Sequence, residues 1–165
     1  MRDPRIEYVL KVLDPPPGVR PWHGGATPLG SLRGVDERLA AWRPGPGRHG
    51  IWELVLHMAY WKYAVRRRLT DEPTGRFPRS PSNWPAVRER TSARAWEEDR
   101  ALLRDEHVRL VEAIRGFDPA RLDGPTGTGS GASVTYGDLV MGILMHDTYH
   151  TGQIQVLKRL FASGR

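Results

Sequence analysis

The sequence predicts an all-α protein, a four-helix bundle, on three observations. Apolar residues recur at helical spacing over three long stretches. No stretch alternates as a strand series does, and there is no internal repeat or coiled-coil heptad run. The connections are long and rich in proline and glycine, as crossovers between packed helices are. At 165 residues the chain reads as one domain over 1–165, large enough to bury a core without staples.

Each element has a local cause. Asp3-Pro4 places a capping side chain and a first-turn proline at the start of a short extra N-terminal helix. It ends near Leu13, at Asp14-Pro15-Pro16-Pro17-Gly18. A short helix fits 27–41, with a break expected near Gly34 because Gly30 and Gly34 weaken it. Arg43-Pro44-Gly45-Pro46-Gly47 is a turn. The first strong helix runs from Ile51 to Leu69, its stripe being Ile51, Leu54, Val55, Met58, Trp61, Ala64, Val65 and Leu69. His57 falls on or beside that stripe.

Residues 70–93 carry prolines at 73, 78, 81 and 85 and predict a long crossover between helices that need not be antiparallel neighbours. The second strong helix covers 94–115, with Leu103, Leu110, Val111 and Ile114 inward, and Gly116-Phe117-Asp118-Pro119 stops it. Residues 124–133, rich in Gly, Ser and Thr, are expected to be a mobile loop. Thr135 followed by Asp138 predicts a capping box opening the last helix, 135–161. Its stripe is Leu139, Ile143, His146, His150, Ile154, Leu157 and Phe161.

Composition narrows the function classes. The chain has no cysteine, which removes disulfides, thiolate metal sites and a thiol nucleophile of its own, and fits a reducing, cytoplasmic setting. No apolar run approaches the roughly 18–20 residues of a membrane span. Met1-Arg2-Asp3-Pro4 lacks the layout of a signal peptide. The net charge is +6, almost all of it arginine, with lysine only at 11, 62 and 158. Such a balance admits nucleic acid or an anionic substrate. The arginines are spread along the chain, however, so most of the charge reads as ordinary surface and nucleic acid is not the expected partner.

The chemistry lies in the histidines. His146 and His150, four residues apart, share one helix face and can point at one atom. A third imidazole, from His57, would complete a three-nitrogen site with an open coordination position, the mark of a catalytic metal. Nitrogen ligands suit zinc, nickel, iron or copper, and suit magnesium or calcium poorly. Two carboxylates are candidates for moving protons. Asp147 adjoins His146, and Glu53 lies one turn before His57. Either is equally readable as a solvated helix carboxylate. Tyr60 and Tyr149 read first as packing residues. His107 has no partner at helical spacing, His49 reads as a local cap before the first strong helix and His23 could approach the site from a loop; none of the three is an expected ligand. Arg66-Arg67-Arg68 reads either as a cradle for an anionic co-substrate or as a basic helix end favoured by the macrodipole.

Two segments carry a resemblance. Ile51-Trp52-Glu53-Leu54-Val55-Leu56-His57 and His146-Asp147-Thr148-Tyr149-His150-Thr151-Gly152-Gln153-Ile154 resemble the DinB-like four-helix-bundle superfamily of damage-inducible proteins and metal-dependent hydrolases. Trp22-His23-Gly24 and Arg43-Pro44 resemble one branch of it. The likeness runs from about residue 22 to 162. It implies up-down-down-up connectivity, a divalent metal (zinc or nickel) on His57, His146 and His150, and a homodimer. It also implies a small-molecule substrate, with hydrolases and low-molecular-weight-thiol S-transferases among the relatives. The alternatives are a non-catalytic metal-binding stress-response dimer and a nucleic-acid-binding module.

Overall fold

A computed structural model describes residues 3–19, 25–72, 75–88, 91–127 and 134–164. Those residues form helices α1 (Pro4–Leu13), α2 (Pro28–Ser31), α3 (Glu37–Ala41), α4 (Ile51–Leu69), α5 (Ala93–Arg115) and α6 (Tyr136–Ala162), with a 3-10 turn at Pro119–Arg121. No strand is present among them; one isolated bridge joins Pro125 to Thr135. The expected loop 124–133 lies mostly outside the described residues, as does Trp22-His23-Gly24.

The starts obey capping chemistry. The Asp3 side chain accepts from the Arg5 amide with Pro4 in the first turn of α1, and Ser92 accepts from Ala95 at the start of α5. Thr135 and Asp138 form the expected reciprocal box on α6. The 27–41 segment splits into α2 and α3, with Gly34 at φ +74 between them. A left-handed backbone is where glycine alone is free of strain.

Helix direction follows from the core. One apolar cluster joins Ile51 to Ala59 at the start of α4 with Ala95, Trp96 and Leu103 at the start of α5. The same cluster takes Ile154 and Leu157 from the end of α6. The other joins Val65 and Leu69 with Leu110, Val111 and Ile114, and with Leu139, Val140 and Ile143 from the start of α6. So α4 and α5 run parallel and α6 runs against both. The 70–92 crossover must therefore carry the chain back along α4, about 28 Å at 1.5 Å per residue, which no tight turn can do. The fourth column of the bundle is built in pieces. Ile6, Val9, Leu10 and Leu13 of α1 serve the second cluster, while Leu32, Val35, Leu39 and Ala40 around α2 and α3 serve the first.

α4 is buried on more than the expected stripe. Trp52, Leu56, Ala59, Lys62 and Tyr63 are also enclosed, while Trp61 is only half-buried. The α2–α3 segment and Phe77 of the crossover pack over the face that a lone amphipathic helix would give to water.

Polar groups inside the bundle are mostly paired. Asp99 accepts from Trp52 Nε1 and from Arg79, and Glu106 accepts from Arg66 and Arg109. His107 is buried beside Lys62 and Asp147, and its Nδ1 has no partner among the described residues. Burial first, then the Lys62 charge, pushes its pKa down to about 4. The unfolded chain therefore binds the proton that the folded chain refuses, and stability falls as pH drops from about 6.5 towards 4. His107→Leu is expected to remove about 2 kcal/mol of the stability lost between pH 7 and pH 5, read from urea unfolding at the two pH values.

Candidate metal centre

α4 and α6 bring His57, His146 and His150 together. One ring nitrogen from each lies within 4.8 Å of the others, and His57 Nε2 stands 3.0 Å from His146 Nε2. Two nitrogens held at 2.0–2.1 Å on a tetrahedral ion lie about 3.3 Å apart, so the spacing suits a shared cation.

The outer nitrogens decide which way the lone pairs point. His57 Nδ1 lies 2.5 Å from the Asn83 carbonyl, which can only accept, so Nδ1 carries the proton and Nε2 faces inward with its lone pair. His150 Nδ1 donates to Gln153 Oε1 at 2.6 Å, one turn along α6. Acceptors of this kind fix tautomer and ring angle in metal-ligating histidines. Among the described residues His146 Nδ1 is buried with no hydrogen-bond partner, and so is Asp147 Oδ1, 3.9 Å away. Burial pushes the pKa of His57 down to about 4, against the pull of the Asn83 carbonyl, and burial also lowers that of His150. Both rings are thus neutral at pH 7, as metal ligation needs.

The crossover supplies parts that helical periodicity does not reveal. Asn83, at φ +69, gives its carbonyl to His57 and its side-chain oxygen to Trp61 Nε1. The Trp84 ring stacks on His57 at 3.8 Å and on His49 at 3.8 Å, making a three-ring pile that covers one face of the His57 imidazole.

The two candidate proton-transfer carboxylates are each engaged by a cation. Glu53 accepts from the Gly50 amide at 2.7 Å and from Arg43 at 2.6 Å, so it caps α4 and anchors the preceding loop. Gly50 is needed there, since a Cβ would meet the Trp42 carbonyl oxygen at 2.4 Å. No contact joins Glu53 to the three imidazoles among the described residues. Asp147 is 1 % exposed and pairs with the fully buried Lys62. Burial alone would raise its carboxyl, but Lys62, with His146 and His107, more than offsets this and holds it below the ordinary range. Tyr60 packs against the core and Tyr149 is largely exposed. Arg66 pairs with Glu72 and Glu106, and Arg67 donates to the Glu72 carbonyl. Arg66 lies nine residues beyond His57, about 13 Å along the helix, so this arginine run is a helix-end device and not the mouth of the site.

Two of the cavities beside α6 differ in their relation to the site. One, about 520 Å³, has Ile6, Val9, Val140 and Leu144 in its wall and none of the three histidines. The other, about 640 Å³, is bordered by His150 and Gln153 and opens beside the metal centre. No helix among the described residues is long and apolar enough to cross a membrane.

The DinB superfamily family model matches residues 28–154, a span that contains all three histidines and Gln153 and omits α1. No curated protein and no solved structure matches the chain. The family match over most of the sequence, the parallel α4 and α5, and the three convergent imidazoles agree: the chain belongs to the DinB superfamily.

Proposed function

We propose that the protein is a metal-dependent enzyme in which His57, His146 and His150 hold zinc or nickel, and that it transfers a low-molecular-weight thiol to a small electrophile. The observation that carries the metal is the convergence of three ring nitrogens within 4.8 Å, two of them on rings whose outer nitrogen is a committed donor. When bound, the cation supplies Lewis acidity to a nucleophile and an electrophile held side by side.

The remaining work falls to the chain. Asn83 and Gln153 hold two ligand rings at fixed angles. Trp84 keeps water from one face of His57. Asp147 is a positioning residue behind His146; at 1 % exposure it cannot touch a substrate in the groove. Thiol transfer is favoured over hydrolysis by where the carboxylates stand. Hydrolysis starts from water, a far weaker acid than a thiol until the cation binds it, and its attack needs a base in reach. A free thiol, pKa about 8.5, gives up its proton far more readily. Glu53 is occupied by Arg43 and the Gly50 amide, and Asp147 by Lys62, so neither is free to act as that base.

The test is a paired assay on zinc-loaded protein: conjugation of small thiols to an activated aryl halide, and hydrolysis of an aryl ester without thiol. Conjugation that stops on chelation and returns with zinc is expected. Ester hydrolysis without thiol would favour the hydrolase instead. No turnover in either assay by fully loaded protein would leave a non-catalytic metal protein.

A further inference from the structure

The groove of about 640 Å³ falls within the range of small-molecule sites, about 300–1,000 Å³. His150 and Gln153 form part of its wall, so whatever lies in it reaches the edge of the metal centre. Its apolar surface comes from Leu54, Val156, Leu157 and Leu160 and from the Trp84 ring. No aspartate or glutamate lines it.

One arginine does. Arg48 sits on the loop between α3 and α4, and no carboxylate or carbonyl engages its guanidinium among the described residues. Its loop neighbour Arg43 is neutralised by Glu53 at 2.6 Å, and Arg66, Arg79 and Arg121 are likewise held by acidic side chains. An unpaired guanidinium on the rim of an acid-free apolar groove recognises an anion joined to an apolar body.

On the metal-enzyme reading above, we infer that this groove binds a small organic acid. Its apolar part lies along the leucine wall, its carboxylate meets Arg48, and its reacting end lies at His150. A carboxylate is the better match than a phosphate. One planar guanidinium pairs with both carboxylate oxygens, whereas phosphate sites gather several donors. The anionic end of the substrate is therefore read by the 43–50 loop, not by the arginine run at the end of α4.

The experiment is calorimetric titration of the full chain, metal-free and zinc-loaded, with 4-phenylbutyrate and with its uncharged amide. The metal-free protein is expected to bind the acid about ten-fold tighter than the amide, as a charge-assisted pair provides. Arg48→Gln should abolish that preference while leaving amide binding unchanged, and Arg48→Lys should retain part of it. Because the preference is read without metal, it stands or falls apart from zinc binding, which is measured separately on the same samples. Equal affinity for acid and amide, no saturable binding of the acid to either form, or an undiminished preference in Arg48→Gln would each overturn the assignment.

Discussion

Asp147→Ala is expected to destabilise the fold by roughly 3–5 kcal/mol, the penalty for stripping one partner from a buried ion pair. Lys62 is completely enclosed and Asp147 is 1 % exposed, so neither charge can turn to solvent when the other is removed. Lys62→Met should cost a similar amount, because it leaves the carboxylate alone beside His107. The double variant Lys62→Met/Asp147→Leu should recover most of the loss, since apolar pairs of similar volume replace buried ion pairs at little or no net cost. Urea unfolding of the two single variants and the double gives the coupling directly. Single variants that each lose less than about 1 kcal/mol would mean that water reaches the pair.

The second large effect is on metal. His57→Ala, His146→Ala and His150→Ala should each remove stoichiometric zinc binding, because two imidazoles cannot hold the ion as three do. His107→Ala should leave it intact, as its ring is enclosed beside Lys62 and Asp147 and belongs to no ligand group. Gln153→Leu should fall between, weakening zinc by 10–100-fold through loss of the acceptor on His150 Nδ1. Gln153→Glu keeps an acceptor and should restore most of that loss. Competition with a chromophoric chelator measures all six.

The helices and the three-histidine cluster were legible in the sequence because both rest on local spacing. An i,i+4 histidine pair on an apolar stripe defines its geometry within one turn, and a third histidine on a second stripe meets it once the stripes pack. The surroundings were not legible, since they depend on contacts between distant segments. Asn83 and Trp84 reach His57 across 26 and 27 positions from a crossover without periodicity. Lys62 looks like a polar-face residue until α6 brings Asp147 over it. Glu53 is different: its place three residues after Gly50 is itself a capping signal, and the structure uses it so. Of the two readings of the Arg66–Arg68 run, the structure favours the basic helix end, because closeness in sequence on a helix is not closeness to the site. α4 carries Arg66 away from His57, and the guanidinium beside the groove comes from Arg48 in a glycine- and proline-rich turn.

The central claim is that one cation is held by imidazoles from two helices. X-ray absorption at the zinc edge of the loaded protein reads this most directly. Three imidazole nitrogens at about 2.0–2.1 Å, with at least one lighter-atom ligand completing the shell, are expected. A shell of oxygens with fewer than two imidazoles, or a spectrum unchanged by His146→Ala, would contradict it.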